Sequence, residues 1–319
     1  MRKKLFVFLA SLLIFGFATF IFYQRKRNQS LPIISPLISK EEIFPKENKE
    51  PFWQPIERPN FSNEDKIFVE AESALALDWN TNQIFFAKNA NQVLPIASLS
   101  KLMTAFVAQE IAPLETKLIV SQEAVKDGEA TMGLLPYEKL TLEKILYGLL
   151  IVSGNDAANV IAENLGGREQ TFVAMMNQKA KQLGLEKTVF YNPHGLDEEN
   201  QPPNQSNTYE LAILTKALFD QFPKTREIVK TPEVIFPATK DHQEYQLKNV
   251  LGLDKTYPGM VGVKPGNNVS AGYCLIGLAE KDGHEVLIVL LNSPHLKEEV
   301  QKLFDFSFGQ IALSPTLTP

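Results

Sequence analysis

Strand patterns stand at both ends of the folded part of this chain, and helix patterns occupy its middle. Two short strand patterns come first, at 73–78 and 84–87, around an Asn80-Thr81-Asn82 turn. Apolar residues then recur at helical spacing in the segments 96–111, 142–152, 156–164, 172–183 and 210–219. Strand patterns at 260–264, 271–279 and 285–291 follow, with a short helix pattern at 296–306. This order predicts one sheet that is built from both ends of the chain and covered by helices.

The composition is that of a globular protein, and it argues against several classes of function. Hydrophobic residues make up 44% of the chain and charged residues 22%, which is enough for a full core. The net charge of −5 and the lack of a Lys/Arg stripe argue against nucleic-acid binding. The four histidines are scattered and Cys274 is the only cysteine, so no spacing suits a metal site and no cofactor is expected. Cys274 lies in an apolar strand pattern and is expected to be inert packing.

The first 27 residues are predicted to be a membrane anchor. Residues 5–23 carry no charge and are flanked by basic residues on both sides. As a helix, these 19 residues reach about 28 Å, close to the hydrocarbon thickness of a bilayer. A cleaved signal peptide is the alternative, but its apolar region is usually about 7–15 residues long. Small residues should also mark its cleavage site, where this chain has Phe20-Ile21-Phe22-Tyr23. The basic residues balance across the span and leave its orientation open.

Three further regions follow the anchor. Residues 28–65 contain six prolines among Lys and Glu without an apolar period, which predicts an extended, Pro-rich tether. Within it, Phe52 and Trp53 are apolar, which leaves open whether this segment docks onto another part of the protein. Residues 66–312 have the pattern of a packed domain, and residues 313–319 are expected to be a disordered tail.

Ser98-Leu99-Ser100-Lys101 is the first group of residues that can carry chemistry. On a helix, positions three apart share a face, so Ser98 and Lys101 project side by side. Pro95 places Ser98 near the first turn, where free backbone N–H groups favour developing negative charge. Lysine can take the serine proton if burial or a neighbouring cation lowers its pKa. Alone, the pattern is common in a chain of this length and normally indicates an amphipathic helix with a solvated lysine.

Two further triplets also have both an ordinary and a functional interpretation. Ser153-Gly154-Asn155 interrupts an apolar run and precedes a helix start, as an ordinary turn does. The functional alternative makes Ser153 a proton relay and Asn155 an amide donor to a substrate carbonyl. Lys264-Pro265-Gly266 lies in a strand pattern and is unremarkable alone. If Lys264 stands beside the other two groups, its charge lowers the pKa of the base by like-charge repulsion.

In this order the three groups resemble the S-x-x-K, S-x-N and K-T-G signature of the penicillin-interacting serine enzymes. The surrounding residues resemble the serine-type D-Ala-D-Ala carboxypeptidases, which are low-molecular-mass penicillin-binding proteins. The stretches that carry this resemblance are LPIASLSKLMT (94–104), SGNDAA (153–158), NPHGLD (192–197) and AGYC (271–274). The resemblance covers roughly residues 73–291, nearly all of the predicted domain.

The resemblance implies a fold and a reaction. The fold is α+β and β-lactamase/transpeptidase-like: an antiparallel sheet flanked by helices, with an all-helical subregion and the active site between that subregion and the sheet edge. The enzyme forms an acyl-enzyme with a peptidoglycan stem peptide, expels the terminal D-Ala and is then hydrolysed. β-Lactams bind covalently at the same serine. Because this substrate lies outside the cytoplasm, the domain is expected on the outer side of the cell membrane, held by the N-terminal helix.

The resemblance also implies roles for single residues. Ser98 is the nucleophile, Lys101 its base, and Ser153 and Lys264 relay protons. Asn155, Lys264, Gly266 and Asn267 are assigned to substrate binding. The backbone N–H groups of Ser98 and Asn267 are expected to form the oxyanion hole, and no metal takes part.

One position departs from the family. Where K-T-G has Thr, this chain has Pro265, which offers no hydroxyl to the terminal carboxylate of the donor peptide. In a strand, the N–H groups of residues 265 and 267 point the same way, toward the cleft, so the fold should tolerate proline there. The departure leaves open a D,D-endopeptidase and a non-catalytic or weakly active penicillin-binding module. A β-lactamase shares the core motifs and also remains an alternative function.

His194, with no carboxylate nearby in its motif, is expected to be structural.

Overall fold

The structure, a computed structural model, describes residues 53–56, 67–126 and 129–312. The predicted anchor (1–27), the predicted tail (313–319) and the predicted tether apart from residues 53–56 lie outside this range. Among the helices that are described, none is long and apolar enough to span a bilayer.

Eleven strands and seven α-helices make up the regular structure of the described residues. The strands are β1 (Ser73–Asp78), β2 (Ile84–Lys88), β3 (Leu94–Pro95), β4 (Lys117–Ile119), β5 (Lys139–Thr141), β6 (Gln205–Ser206), β7 (Glu233–Phe236), β8 (Tyr245–Lys248), β9 (Met260–Asn268), β10 (Gly272–Lys281) and β11 (His284–Leu291). The helices are α1 (Lys101–Ile111), α2 (Leu142–Ile151), α3 (Asn155–Gly166), α4 (Glu169–Gln182), α5 (Thr208–Gln221), α6 (Pro223–Lys230) and α7 (Leu296–Ala312). A 3-10 turn, Ala97–Ser100, immediately precedes α1.

Five strands form the central sheet, and both ends of the chain build it, as the order of strand patterns predicts. The strand order is β2–β1–β11–β10–β9, so β2 and β9 are the two edges. Every neighbouring pair is antiparallel. The α+β architecture with an antiparallel sheet is therefore confirmed.

Both faces of this sheet are buried, which explains why its central strands are apolar at nearly every position. Side chains alternate between the faces along a strand. Leu75 and Leu77 of β1 enter the larger core, which contains the helices α1–α5. Ala74 and Ala76 enter a smaller core that α7 covers.

Helix α1 lies in the middle of the helical subregion. Its residues 102–108 are all buried, so the helix has no solvated face. Helices α2, α3, α4 and α5 pack around it, and the 3-10 turn at its beginning packs against β9. The first turn of α1 is thereby placed at the edge of the sheet.

Part of the predicted tether contacts the domain. Trp53 packs against the larger core, and its indole N–H donates to Asn82 Oδ1. The Ile56 N–H donates to Asn82 O and the Ile84 N–H donates to Ile56 O, both at 2.9 Å. Because β2 is an edge strand of the sheet, a passing segment with an apolar anchor can pair with its beginning. Residues 53–56 of the predicted tether therefore contact the domain through Trp53 and Ile56.

Candidate active site

Ser98 lies in a 3-10 turn and not in the first turn of an α-helix. The predicted continuous helix from Ile96 is interrupted because Ala97 adopts a φ of 44°, a conformation that is strained for a residue with a Cβ. Two hydrogen bonds hold the turn: Ser100 Oγ donates to Ala97 O at 2.7 Å, and Asn204 Nδ2 donates to Ser100 Oγ at 2.9 Å. Ser98 is half-buried, so it is not sealed in the core.

The side chain of Lys101 is fully buried and reaches three oxygen atoms. Its Nζ lies 3.0 Å from Ser98 Oγ, 2.7 Å from Asn155 Oδ1 and 2.6 Å from His194 O. The last two oxygens only accept hydrogen bonds. A neutral amine therefore keeps its two N–H groups on them and turns its lone pair to the Ser98 hydroxyl, which donates to it. This is the geometry that a base needs to take the proton of a serine.

The pKa of Lys101 is lowered well below its ordinary value. Burial is the largest cause, the positive charge of Lys264 adds to it, and Asp156 acts in the opposite direction. Burial also lowers the pKa of Lys264 to about 7. Lys101 therefore gives up its proton far more readily than a solvated lysine does, and the direction of the Lys264 effect agrees with the sequence-based expectation.

Ser153 and Asn155 lie between two helices, where α2 has ended and α3 begins. Ser153 is buried and holds a φ of 65°, a strained conformation of the kind that clusters at functional sites. Asn155 accepts from Lys101 with Oδ1 and donates from Nδ2 to Glu129 O at 2.9 Å. The second amide hydrogen of Asn155 is not used in that contact. Its donation to a substrate carbonyl, and the relay role of Ser153, stay predictions.

The third motif lies on the edge strand β9, next to the serine. The Lys264 side chain is buried, and its Nζ donates to Pro265 O at 3.0 Å. A Cβ on Gly266 would lie 3.2 Å from Ser98 N and 3.3 Å from Ile96 O, so this close approach favours glycine. The exposed Asn267 follows. The backbone of β9 and the Ser98 N–H are therefore adjacent, as an oxyanion hole built from Ser98 and Asn267 requires.

Pro265 is accommodated on the edge strand, where proline is tolerated. It pairs with Leu275 of β10. Together with Tyr273, Leu275 and Leu296 it lines a groove of about 540 Å³ beside the beginning of α7. The position of the family threonine thus lines a groove that also contains the charged residues Lys255, Lys297 and Glu298.

Two other expectations concern Cys274 and the metal ligands. Cys274 is buried in β10, and burial raises the pKa of its thiol to about 11, which makes it unreactive. Within the part of the chain that the structure describes, no three His, Cys, Asp or Glu side chains converge as metal ligands.

Comparison with known proteins gives the family of this chain. The family model described as D-alanyl-D-alanine carboxypeptidase, peptidase family S11, matches residues 60–295. The chain belongs to this family. The D-alanyl-D-alanine carboxypeptidase DacF of Bacillus subtilis is 35% identical over 254 residues, which are 77% of this chain and 64% of DacF. The chain therefore spans slightly less than two thirds of the length of this carboxypeptidase.

Other carboxypeptidases and a transpeptidase are similar in sequence or structure. A D-alanyl-D-alanine carboxypeptidase of Mycobacterium tuberculosis is 30% identical over 251 residues, which are 77% of this chain and 84% of the relative. A crystal structure of such an enzyme from the same organism has a TM-score of 0.71 and 28% identity, and the match covers 79% of this chain and 96% of that one. The Streptomyces K15 DD-transpeptidase has a TM-score of 0.70 and 27% identity, with 76% and 99% covered. The penicillin-binding, transpeptidase-like fold is thereby shown.

Sequence reasoning missed three residues of this site. His194 has a carboxylate nearby after all, since Glu198 Oε1 lies 3.6 Å from its Nε2, and its backbone carbonyl holds Lys101. Gly195 has a φ of 86°, and a Cβ there would lie 2.0 Å from Ala97 O, so its backbone fits directly against the Ser98 turn. Asp156 lies in the stretch SGNDAA but was assigned no role. The run NPHGLD was the available signal for the first two.

Proposed function

We propose that this chain is a serine-type D-Ala-D-Ala carboxypeptidase that removes the terminal D-Ala from peptidoglycan stem peptides. One observation carries the proposal: the buried amine of Lys101 lies 3.0 Å from the half-buried Ser98 hydroxyl, and its other two contacts are acceptors. Family membership and the names of the relatives support the substrate.

The proposed reaction begins with the contact between Lys101 and Ser98. Lys101 takes the proton of Ser98 as Oγ forms a bond to the carbonyl carbon between the two D-Ala residues. The oxyanion is stabilised by the N–H groups of Ser98 and Asn267, each typically contributing on the order of 10²–10³ in rate. The C–N bond then breaks, and the proton that Lys101 took from Ser98 passes through Ser153 and Lys264 to the leaving nitrogen, so that D-Ala leaves as an amine and Lys101 is neutral again. Water hydrolyses the acyl-enzyme and restores the Ser98 hydroxyl.

A β-lactam should acylate the same serine, because its strained amide offers the same carbonyl to Oγ. Mass spectrometry after treatment with benzylpenicillin should place the adduct on Ser98, and Ser98→Ala should abolish it. Ser307→Ala is the matched control, since Ser307 is a buried serine of α7 whose hydroxyl donates to Leu303 O, away from the Ser98 turn. In a separate assay without penicillin, the wild type must release D-Ala from a pentapeptide. An adduct on Ser100 or Ser153 contradicts the assignment of the nucleophile.

The domain is further proposed to be anchored to the cell membrane by residues 1–27, with the active site on the outer side. The uncharged run of residues 5–23 and its basic flanks support the anchor, and the extracytoplasmic substrate supports the orientation. The test is fractionation of cells that express the full chain or a chain lacking residues 1–27. Recovery of the full chain in the soluble fraction would contradict the anchor.

A D,D-endopeptidase is the second candidate, and Pro265 favours it. Without a hydroxyl at this position, the site loses one donor to a free terminal carboxylate. Hydrolysis of cross-linked muropeptides at a higher kcat/KM than pentapeptides would establish this activity.

A further inference from the structure

The carboxylate of Asp156 is buried and holds a separate segment of backbone. The N–H groups of Met132, Gly133 and Leu134 donate to it at 2.8, 2.9 and 3.0 Å, and the N–H of Ala157 donates at 2.8 Å. The side chain is 1% exposed. Four backbone N–H groups thus converge on one buried side chain, which fixes the position of the segment 132–134 relative to the beginning of α3.

The segment that Asp156 holds, residues 129–134, also contacts Asn155. The Asn155 N–H donates to Ala130 O at 2.8 Å, and Asn155 Nδ2 donates to Glu129 O at 2.9 Å. The second contact determines which way the amide faces. A flipped amide would set its oxygen against Glu129 O and its NH₂ group against the Lys101 amine, so both contacts would become unfavourable.

The orientation of the Asn155 amide in turn determines that of the Lys101 amine. With its nitrogen on Glu129 O, the amide presents Oδ1 to Lys101 Nζ at 2.7 Å. His194 O takes the second N–H. Only with both acceptors in place does the lone pair of the neutral amine face Ser98 Oγ.

We propose that Asp156 is a positioning residue for the general base, which fixes residues 129–134 so that Asn155 directs the Lys101 amine at Ser98. The inference rests on the proposed function of Lys101 as the base. Asp156 touches neither the serine nor a substrate, and it acts through Asn155 and through its charge.

The charge of Asp156 has a second consequence for the base. The charged or titratable groups around Lys101 are Lys264 from β9, Asp156 from α3, and His194 with Glu198 from the loop after α4. Lys264 lowers the pKa of Lys101 and Asp156 raises it. Removal of the carboxylate charge therefore lowers the pKa of Lys101. Because the neutral amine is the active form, the acylation rate falls as the pH drops below the pKa of Lys101. This acid limb of the pH profile must move to lower pH when the pKa of Lys101 is lowered.

The test is the pH profile of acylation by a fluorescent penicillin for the wild type, Asp156→Asn and Asp156→Glu. Rates are normalised to the fraction of molecules that become acylated, which removes the effect of misfolded protein. We expect Asp156→Asn to have a plateau rate lowered by about 10- to 100-fold and an acid limb at lower pH. Asp156→Glu keeps the charge, so its limb should stay in place, while the extra methylene displaces the segment and lowers the plateau.

Asp197→Asn is the matched control, since Asp197 is also a carboxylate that accepts a backbone N–H, from Ser270 at 3.0 Å. Its acid limb should match that of the wild type. A normalised Asp156→Asn profile that coincides with the wild type overturns the inference, as does loss of cooperative unfolding in both Asp156 variants, which would make the residue merely structural. A wild type that is not acylated at all would instead overturn the proposed function.

Discussion

Replacing Gly266 with alanine should separate the two halves of the proposed oxyanion hole without unfolding the domain. A Cβ at this position would lie 3.2 Å from Ser98 N, 3.3 Å from Ile96 O and 3.4 Å from Ala97 Cβ. Favourable contacts of a carbon atom lie at about 3.5–4.0 Å. Two of the three atoms belong to the backbone and cannot swing aside. Strand β9 and the Ser98 turn must therefore move apart by a few tenths of an ångström.

The size of the effect follows from this displacement. Misplacing a reacting group by about 1 Å costs on the order of 10² in rate. A displacement of a few tenths of an ångström should then lower the acylation rate by about 3- to 10-fold. Stability should change little, because alanine in a strand is favoured over glycine by about 0.5–1 kcal/mol, which offsets part of the crowding.

The assay is the second-order rate constant for acylation by a fluorescent penicillin, measured together with urea unfolding. Gly277→Ala is the matched control: a Cβ there is equally crowded, 3.0 Å from Met260 Cε and 3.2 Å from Ile288 Cγ1, but lies among side chains of the smaller core. It should leave the rate constant as in the wild type. A wild-type rate constant for Gly266→Ala, or an equal loss of rate in both variants, would refute the reasoning.

Three further predictions test other parts of the structure. Pro265→Thr should raise kcat/KM on a peptide ending in D-Ala-D-Ala by roughly 10- to 150-fold, because a hydrogen bond to a charged group contributes about 1.5–3 kcal/mol. A peptide with an amidated C-terminus is the control, and an equal gain on both peptides would contradict recognition of the terminal carboxylate by this hydroxyl. Lys264→Met removes the cation that lowers the pKa of Lys101, so the acid limb of acylation should move to higher pH, and a shift to lower pH would contradict the assignment. Trp53→Ala should lower the free energy of unfolding by about 1–3 kcal/mol in urea titrations, whereas deletion of residues 1–27 should leave it unchanged. A loss of stability in the deletion variant but not in Trp53→Ala would show that residues 1–27, and not residues 53–56, stabilise the domain.

The central sheet could be predicted from the sequence because its strands are buried on both faces. The run predicted as 285–291 is β11, His284–Leu291, and such a continuous apolar segment has few alternatives. The hairpin of β7 and β8 was not predicted. β7 alternates exposed and half-buried residues and has only four of them, so its pattern does not differ from that of a loop. Short, partly exposed elements are determined by the surface that they cover.

The Ser98 turn shows a second limit of sequence reasoning. Alanine and serine carry no local signal for a positive φ, and the pattern from Ile96 onward is that of a helix. The conformation of Ala97 is set by distant contacts, namely Gly195 against its carbonyl and Asn204 on Ser100. The pairing of Asn155 and Asp156 with residues 129–134 was invisible for the same reason, because it joins segments that are distant in sequence.

The basicity of Lys101, in contrast, has a cause that is visible in the sequence. Lys101 is the first residue of α1, and residues 102–108 after it are all buried. The only polar residue among them is Thr104, whose hydroxyl donates to Pro193 O. A solvated lysine, which is the ordinary interpretation of Ser-x-x-Lys, requires a polar helix face, and this helix has none. A helix that is apolar all round must lie inside the domain, so a lysine at its first position is desolvated with it. Desolvation is the largest cause of the lowered pKa, and the apolar run after Lys101 therefore indicates a base independently of the motif.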